Sequence, residues 1–390
     1  MSPAGRKYRN LAVYLLFLAI SLSIYSRAFD NGFRQDDHVF LRHVETNSFA
    51  ESLRPSSDFT FYRPGTLILF RLVYGFFGRN SGAFIAFNFI LHVTISLLVL
   101  LLLGKLFSSR ILATLGAGLF LVGFGHYGKV VMWACCCGQL TSVMLSVAGI
   151  LASLSWVENR GGHGSRRLLA AAILLMTSAG LFHESAIVTP AVAAIAVLAG
   201  RSRGDPTGRG SIALLLLPVL PLLLMNLILS STRPVYQPGA ERLLHVPVYL
   251  VRYAGFSIVP LQKTGMVPVS PLLIRLFGAA PVLHLAAGSA LLAAMGFLAV
   301  FRRKGLRTLG IWFPLAVLPF TLIAMPEGWL QLRYLYLASI PLCGLAAAGL
   351  YGLADGRGNP ARILSNVAVV IITLCTSALV LLLERHYAGF

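Results

Sequence analysis

Apolar runs of about 16 to 23 residues recur along the whole 390-residue chain, each long enough to cross a hydrocarbon core of roughly 30 Å. Nothing in a lipid core hydrogen-bonds an open backbone, so such runs must close their own polar groups as helices. Charged residues make up 12% of the chain, against about 25% in an ordinary soluble domain, and mean hydropathy is +0.79. The expected fold is therefore an all-α polytopic membrane protein, one transmembrane domain over residues 1–390. The expected spans number about eleven: 10–27, 82–104, 111–126, 130–156, 167–182, 186–200, 211–230, 281–300, 308–325, 332–353 and 363–383. "YRPGTLILFRLVYGFFG" and the stretch 246–261 are apolar but broken by Arg, Pro and Gly, which predicts helices lying in or re-entering the interface. The opening "RKYRNLAVYLLFLAISLSIYS" has a basic and an apolar region but no small-residue cleavage site, and reads as an uncleaved first span.

A net charge of +19 could point to nucleic acid, but the basic residues fall in short clusters between the apolar runs. Arg6, Lys7 and Arg9; Lys105 and Arg110; Arg160, Arg166 and Arg167; Arg201, Arg203 and Arg209; Arg302, Arg303, Lys304 and Arg307; and Arg357 and Arg362 all occupy alternate connections. The positive-inside rule makes these connections cytoplasmic. The opposite connections face the exterior, the periplasmic side if the chain sits in a bacterial inner membrane. They hold every acidic residue except Glu158, Asp205 and Asp355. The cysteines have no zinc-site spacing or disulfide framework, and Cys135, Cys136 and Cys137 read as helix packing.

This sorting gathers distant segments on one outer face, where clustered ionisable groups usually mark a site. Asp36 and Asp37 follow the first span closely. They are either a general base with an orienting or cation-holding neighbour, or a solvated pair that sets topology. His183 and Glu184 sit in a very short outer turn, with helix capping as the plainer role. Arg63 in "FYRPG" and Arg333 in "QLRYLYL", the latter beside Tyr334, are the cations best placed to touch a phosphate, although snorkelling to headgroups would also suit them. Lys129, Arg233, Arg242, Arg252 and Lys263 are weaker versions of the same idea.

The segments "DDHVFL", "YRPGTLILFRLVYGFFGRNSGAFIAFNFILH", "HYGKVVMWACCCGQ", "FHES" and "RYLYLASI" occur in an order that resembles the transmembrane O-mannosyltransferases carrying tetratricopeptide repeats, and more broadly the GT-C glycosyltransferases. The resemblance is scattered over Phe33 to Ile340 and takes in Tyr62, Asn88, His92 and His126 as family-matched positions. It implies a GT-C-like bundle with the catalytic acidic motif at Asp36 and Asp37, and a family Lys-Glu pair at His183 and Glu184. This sequence departs from the pattern at His183. It departs again after His126, where Val131, Gly138, Gln139 and Thr141 stand in place of the family's charged residues. No 34-residue repeats occur, so the acceptor-binding arm of those relatives is expected to be missing.

The expected function is an inverting glycosyltransferase, hexosyltransferase-like. It would move a sugar from a polyprenyl-phosphate donor to a protein, glycan or lipid acceptor at the outer membrane surface, with membrane lipids as further partners. No nucleotide-binding fold is needed and no cofactor is certain; two carboxylates admit a divalent cation without requiring one. A transporter or flippase of lipid-linked sugars would instead call for mid-membrane charges and symmetry between halves. A non-catalytic assembly subunit is the third reading.

Overall fold

The computed structural model describes residues 3–56, 58–59, 61–159, 164–200, 212–224, 240–260, 271–301, 305–322, 330–355, 368 and 371–380. Among these, every regular element is helical. Seven stretches are long and apolar enough to cross a membrane: Leu11–Asp30, Ser81–Phe107, Ala134–Glu158, Ser165–Phe182, Ala280–Phe301, Gly305–Leu322 and Leu332–Gly352. The other four expected spans coincide with shorter apolar helices, Arg110–Leu121, Glu184–Gly200, Leu214–Leu224 and Ile371–Val380. The protein is an integral, multi-pass membrane protein. Arg160, the basic clusters at 201–209, 302–304 and 357–362, Arg233 and Lys263 lie outside the described residues, as does the Arg242 side chain.

The helices are α1 (Pro3–Tyr25), α2 (Asp36–Thr46), α3 (Phe49–Ser52), α4 (Pro64–Phe77), α5 (Ser81–Phe107), α6 (Arg110–Leu121), α7 (Cys137–Glu158), α8 (Ser165–Phe182), α9 (Thr189–Gly200), α10 (Ala240–Ile258), α11 (Pro271–Phe301), α12 (Gly305–Leu322) and α13 (Tyr336–Asp355). α5, α7, α9 and α13 run one way, and α6, α8 and α12 return. Lys105, near the end of α5, meets Glu158 at the end of α7, which marks one end of the bundle. The loop bearing Asp36, the turn after α8 and the start of the Leu332–Gly352 segment meet at the other end. α4 starts with Pro64, whose fixed φ and missing N–H suit a first helical turn. It buries Leu67, Phe70 and Val73 while exposing Leu72, Phe76 and Phe77, the two-faced pattern of an interfacial helix.

The connection between α6 and α7 departs from the expected pair of continuous spans. Residues 122–133 leave the helix because Gly123, Gly125 and Gly128 adopt φ of +91°, +86° and +68°, and Tyr127 adopts +53°. Irregular backbone buried in a membrane protein needs internal partners. His126 donates through Nε2 to the Phe120 carbonyl at 3.1 Å and accepts the Gly128 N–H at 3.1 Å on Nδ1. His92 Nε2 donates to the Leu121 carbonyl at 3.0 Å, with the Tyr336 hydroxyl 2.7 Å from its Nδ1. Asn88 donates to the Trp133 carbonyl at 2.8 Å, and the Tyr127 hydroxyl to the Ser257 carbonyl at 3.0 Å. Asn88, His92 and His126 are thus braces for this unwound segment.

Candidate functional site

At the end of the bundle away from Lys105 lies a cavity of about 310 Å³. Its wall draws on four parts of the chain: Asp36, Asp58, Phe61 and Arg63 from the region after α1; Cys135, Cys136 and Gln139 around the start of α7; His183 and Glu184 after α8; and Arg333 with Tyr334 before α13.

The acidic pair divides sharply. Gln35 holds φ +36°, an unfavourable conformation for a residue with a Cβ, and from there the chain turns into α2 with Asp36 and Asp37 in its first turn. Asp37 is 1% exposed, and both its oxygens accept backbone N–H groups, from Arg34 at 2.9 Å and from Cys135 at 2.7 Å. Burial lifts its pKa to about 6 against the pull of those two hydrogen bonds. Asp37 therefore staples the acidic motif to the end of the unwound segment. Asp36 is 50% exposed, lines the cavity, and accepts from Arg333 Nη1 at 3.0 Å.

Arg333 lies over the rings of Trp133 at 4.7 Å and Tyr334 at 5.4 Å, so its guanidinium plane is set by cation–π contact. Gln139 donates to the Arg333 carbonyl at 2.5 Å, and Tyr334 stacks on Phe320 at 4.3 Å with 9° between planes. Gln139 is thus a brace for the start of "RYLYL". Arg63 and Glu184 form a two-bond fork, Nε to Oε2 at 2.7 Å and Nη2 to Oε1 at 2.5 Å, with Arg63 over Phe61 at 4.1 Å. Burial would raise the Glu184 carboxyl, but the charge and hydrogen bonds of Arg63 outweigh it and hold the group below the usual range. His183 is driven down to about 3 by burial and by Arg63. Its Nδ1 accepts the Ser185 N–H at 3.2 Å, which leaves the neutral ring's proton on Nε2.

The cavity unites six residues singled out in the sequence: Asp36, Arg63, His183, Glu184, Arg333 and Tyr334. Asp37 sits just behind it. Lys129 reaches the Trp133 ring, 5.4 Å from Nζ, and is not part of the lining. Tyr62 donates to the Leu53 carbonyl at 2.6 Å and ties the outer loop to itself. Cys135, Cys136 and Cys137 are buried, but only Cys137 belongs to α7; Cys135 and Cys136 precede it and line the cavity. Asp58, Phe61, Thr66 and Trp133 were not legible as site residues. Asp58 meets His43 Nδ1 at 2.8 Å, and Thr66 donates to the Phe182 carbonyl at 2.6 Å, partners separated too far in sequence to form a motif. Among the described residues no group of three or more His, Cys, Asp or Glu side chains could hold a metal ion.

No family model matches the chain, and no curated protein sequence does. Solved structures do match. The oligosaccharyltransferase AglB of Archaeoglobus fulgidus, in complex with an inhibitory peptide and a dolichol-phosphate, is 15% identical with a TM-score of 0.52 over 99% of this chain and 56% of its own. The apo oligosaccharyltransferase of that organism matches at 15% identity, TM-score 0.55, over 98% of this chain and 56% of its own. Its complex with zinc and sulfate matches at 16% and 0.54, over 97% and 53%. The fold is GT-C. This chain spans little more than half the length of those structures, and at such identity the likeness carries the GT-C fold alone. The roles of residues in this GT-C bundle rest on its own cavity.

Proposed function

We propose that the chain is an inverting glycosyltransferase, hexosyltransferase-like, that uses a sugar on a polyprenyl phosphate and works at the outer face of the membrane. The observation that carries this reading is the meeting, in one cavity at one bundle end, of a half-exposed carboxylate and an arginine with hydrogen-bonding capacity to spare. The GT-C fold is shared with a protein whose structure holds a dolichol-phosphate, which supports a lipid-linked donor.

In this reading Asp36 takes the proton of an acceptor hydroxyl on a protein, glycan or lipid. The acceptor oxygen bonds to the anomeric carbon from the face opposite the phosphate, and the carbon–oxygen bond to phosphate breaks. That electron pair goes to the phosphate oxygen, whose charge Arg333 meets, while the His183 Nε2–H borders the same space. Asp37 holds the motif in place through Arg34 and Cys135. The Arg63–Glu184 fork forms a fixed wall. With the basic connections cytoplasmic, as in a bacterial inner membrane, the cavity faces the periplasm.

Native mass spectrometry of the purified protein should detect a bound polyprenyl phosphate, and loading with polyprenyl-phosphate hexose should give transfer to added acceptors. A protein that neither retains nor binds any polyprenyl phosphate would rule the reading out. For orientation, a cysteine at exposed Arg54 should react with an impermeant reagent from outside and one at Ser165 should not, in a background without native cysteines; the reverse pattern would invert the topology.

A further inference from the structure

Asp36 and Arg333 are paired with each other through Asp36 Oδ2 and Arg333 Nη1, so the oxygen and the N–H that meet there are closed to an acceptor hydroxyl and to a phosphate while that contact stands. The contact is built to be exchanged. Arg333 commits Nη1 to Asp36 at 3.0 Å, while its Nε is buried and makes no hydrogen bond. Trp133 and Tyr334 fix the guanidinium plane, whereas Asp36 is half exposed at the first turn of α2 and free to rotate away. Arg63, the other cation on the wall, has both N–H groups of its fork filled by Glu184. A phosphate entering the cavity thus meets in Arg333 a cation held by one bond and in Arg63 one held by two, and it offers several oxygens where the carboxylate gives one.

We propose that the phosphate of the donor displaces Asp36 from Arg333, so that donor binding itself frees the base and acceptor activation follows donor occupancy. The inference rests on the lipid-phosphate reading above. It makes the empty site self-occupied: without donor, Asp36 Oδ2 is held on Arg333 and is not turned to a bound hydroxyl.

The test is a mutant cycle on binding alone, with farnesyl phosphate titrated calorimetrically into the solubilised full chain. Asp36→Asn removes the competitor and should tighten binding about threefold to tenfold, the scale of a partly exposed ion pair. Arg333→Ala should weaken binding tenfold or more, and Asp36→Asn added to Arg333→Ala should bring no gain; Arg333→Gln replaces Arg333→Ala if the latter does not fold. Asp58→Asn, which removes another carboxylate from the same wall, should change affinity less than twofold. If Asp36→Asn binds no tighter than the parent, or if its gain persists without Arg333 or is matched by Asp58→Asn, the exchange is wrong, even with the lipid-phosphate reading intact. If the parent fails to bind farnesyl phosphate, or binds farnesol equally well, that reading falls and the exchange falls with it.

Discussion

Two arginine–carboxylate pairs stand on the wall of one cavity, and they are built to opposite ends. Arg63 and Glu184 meet through two short bonds, with side chains 18% and 25% exposed and the guanidinium laid on Phe61. Arg333 and Asp36 meet through one bond of 3.0 Å, the arginine 20% exposed and the aspartate 50%. A fork held by two charge-assisted bonds is a fastener, and its value lies in joining the start of α4 to the turn after α8. A pair with a buried spare N–H on one side and a half-solvated carboxylate on the other is poised to change partners. In the reading proposed above, the same residue types serve structure in one place and chemistry in the other.

The largest expected effect is on the open pair. Asp36→Asn should lower transfer by about a hundredfold or more, with thermal stability close to the parent's, because a positioned base is lost and a weak contact with it. Near-parent activity would remove Asp36 from the chemistry and leave the two pairs functionally alike. Breaking the fork should act on stability instead. Glu184→Gln should cost about 2 kcal/mol, since a half-buried guanidinium loses its charged partner. A change under about 0.5 kcal/mol would show that the fork is not a fastener.

Glu184 also predicts a pH dependence with a definite sign. Its carboxyl is held below the ordinary range, so its contribution is complete above about pH 4.3, where an unfolded glutamate is ionised. The contribution is lost as pH falls toward the folded value, and the parent's advantage over Glu184→Gln should shrink on acidification. Asp37 is the reverse case. With a folded pKa of about 6, it retains a proton that the unfolded chain releases near 3.9, so stability falls as pH rises from about 4 to about 6 and levels off beyond. Thermal melts of Asp37→Asn across that window should lack this slope. The smallest effect is expected outside both pairs. Tyr62→Phe should cost about 0.5 kcal/mol for the bond to the Leu53 carbonyl and leave transfer unchanged.

The site was legible from sequence wherever a charge interrupts an apolar stretch. Asp36, Arg63, Glu184 and Arg333 all stand out because an ionisable group beside a span is costly unless it has a partner. The partners themselves were not legible. Glu184 lies 121 residues from Arg63, and Arg333 lies 297 residues from Asp36. No local pattern encodes such pairings. Asp36 and Asp37 were equivalent as letters; what separates them is the Cys135 N–H, delivered by a segment that unwinds at Gly123, Gly125 and Gly128. Asn88, His92 and His126 do a different kind of work. They mark where buried backbone leaves the helix and must be answered by side chains.

By itself the sequence determined that this chain is a bundle of apolar helices and that most of its acidic residues fall in alternate connections. Long apolar runs have one low-energy arrangement in lipid, and basic clusters bias which connections stay inside. Tertiary structure alone decided which aspartate faces the cavity, which arginine keeps donors unspent, and that Gln139 props the backbone of Arg333. Those outcomes depend on hydrogen bonds between distant segments and on burial, and both come into being only when the helices close around a common space.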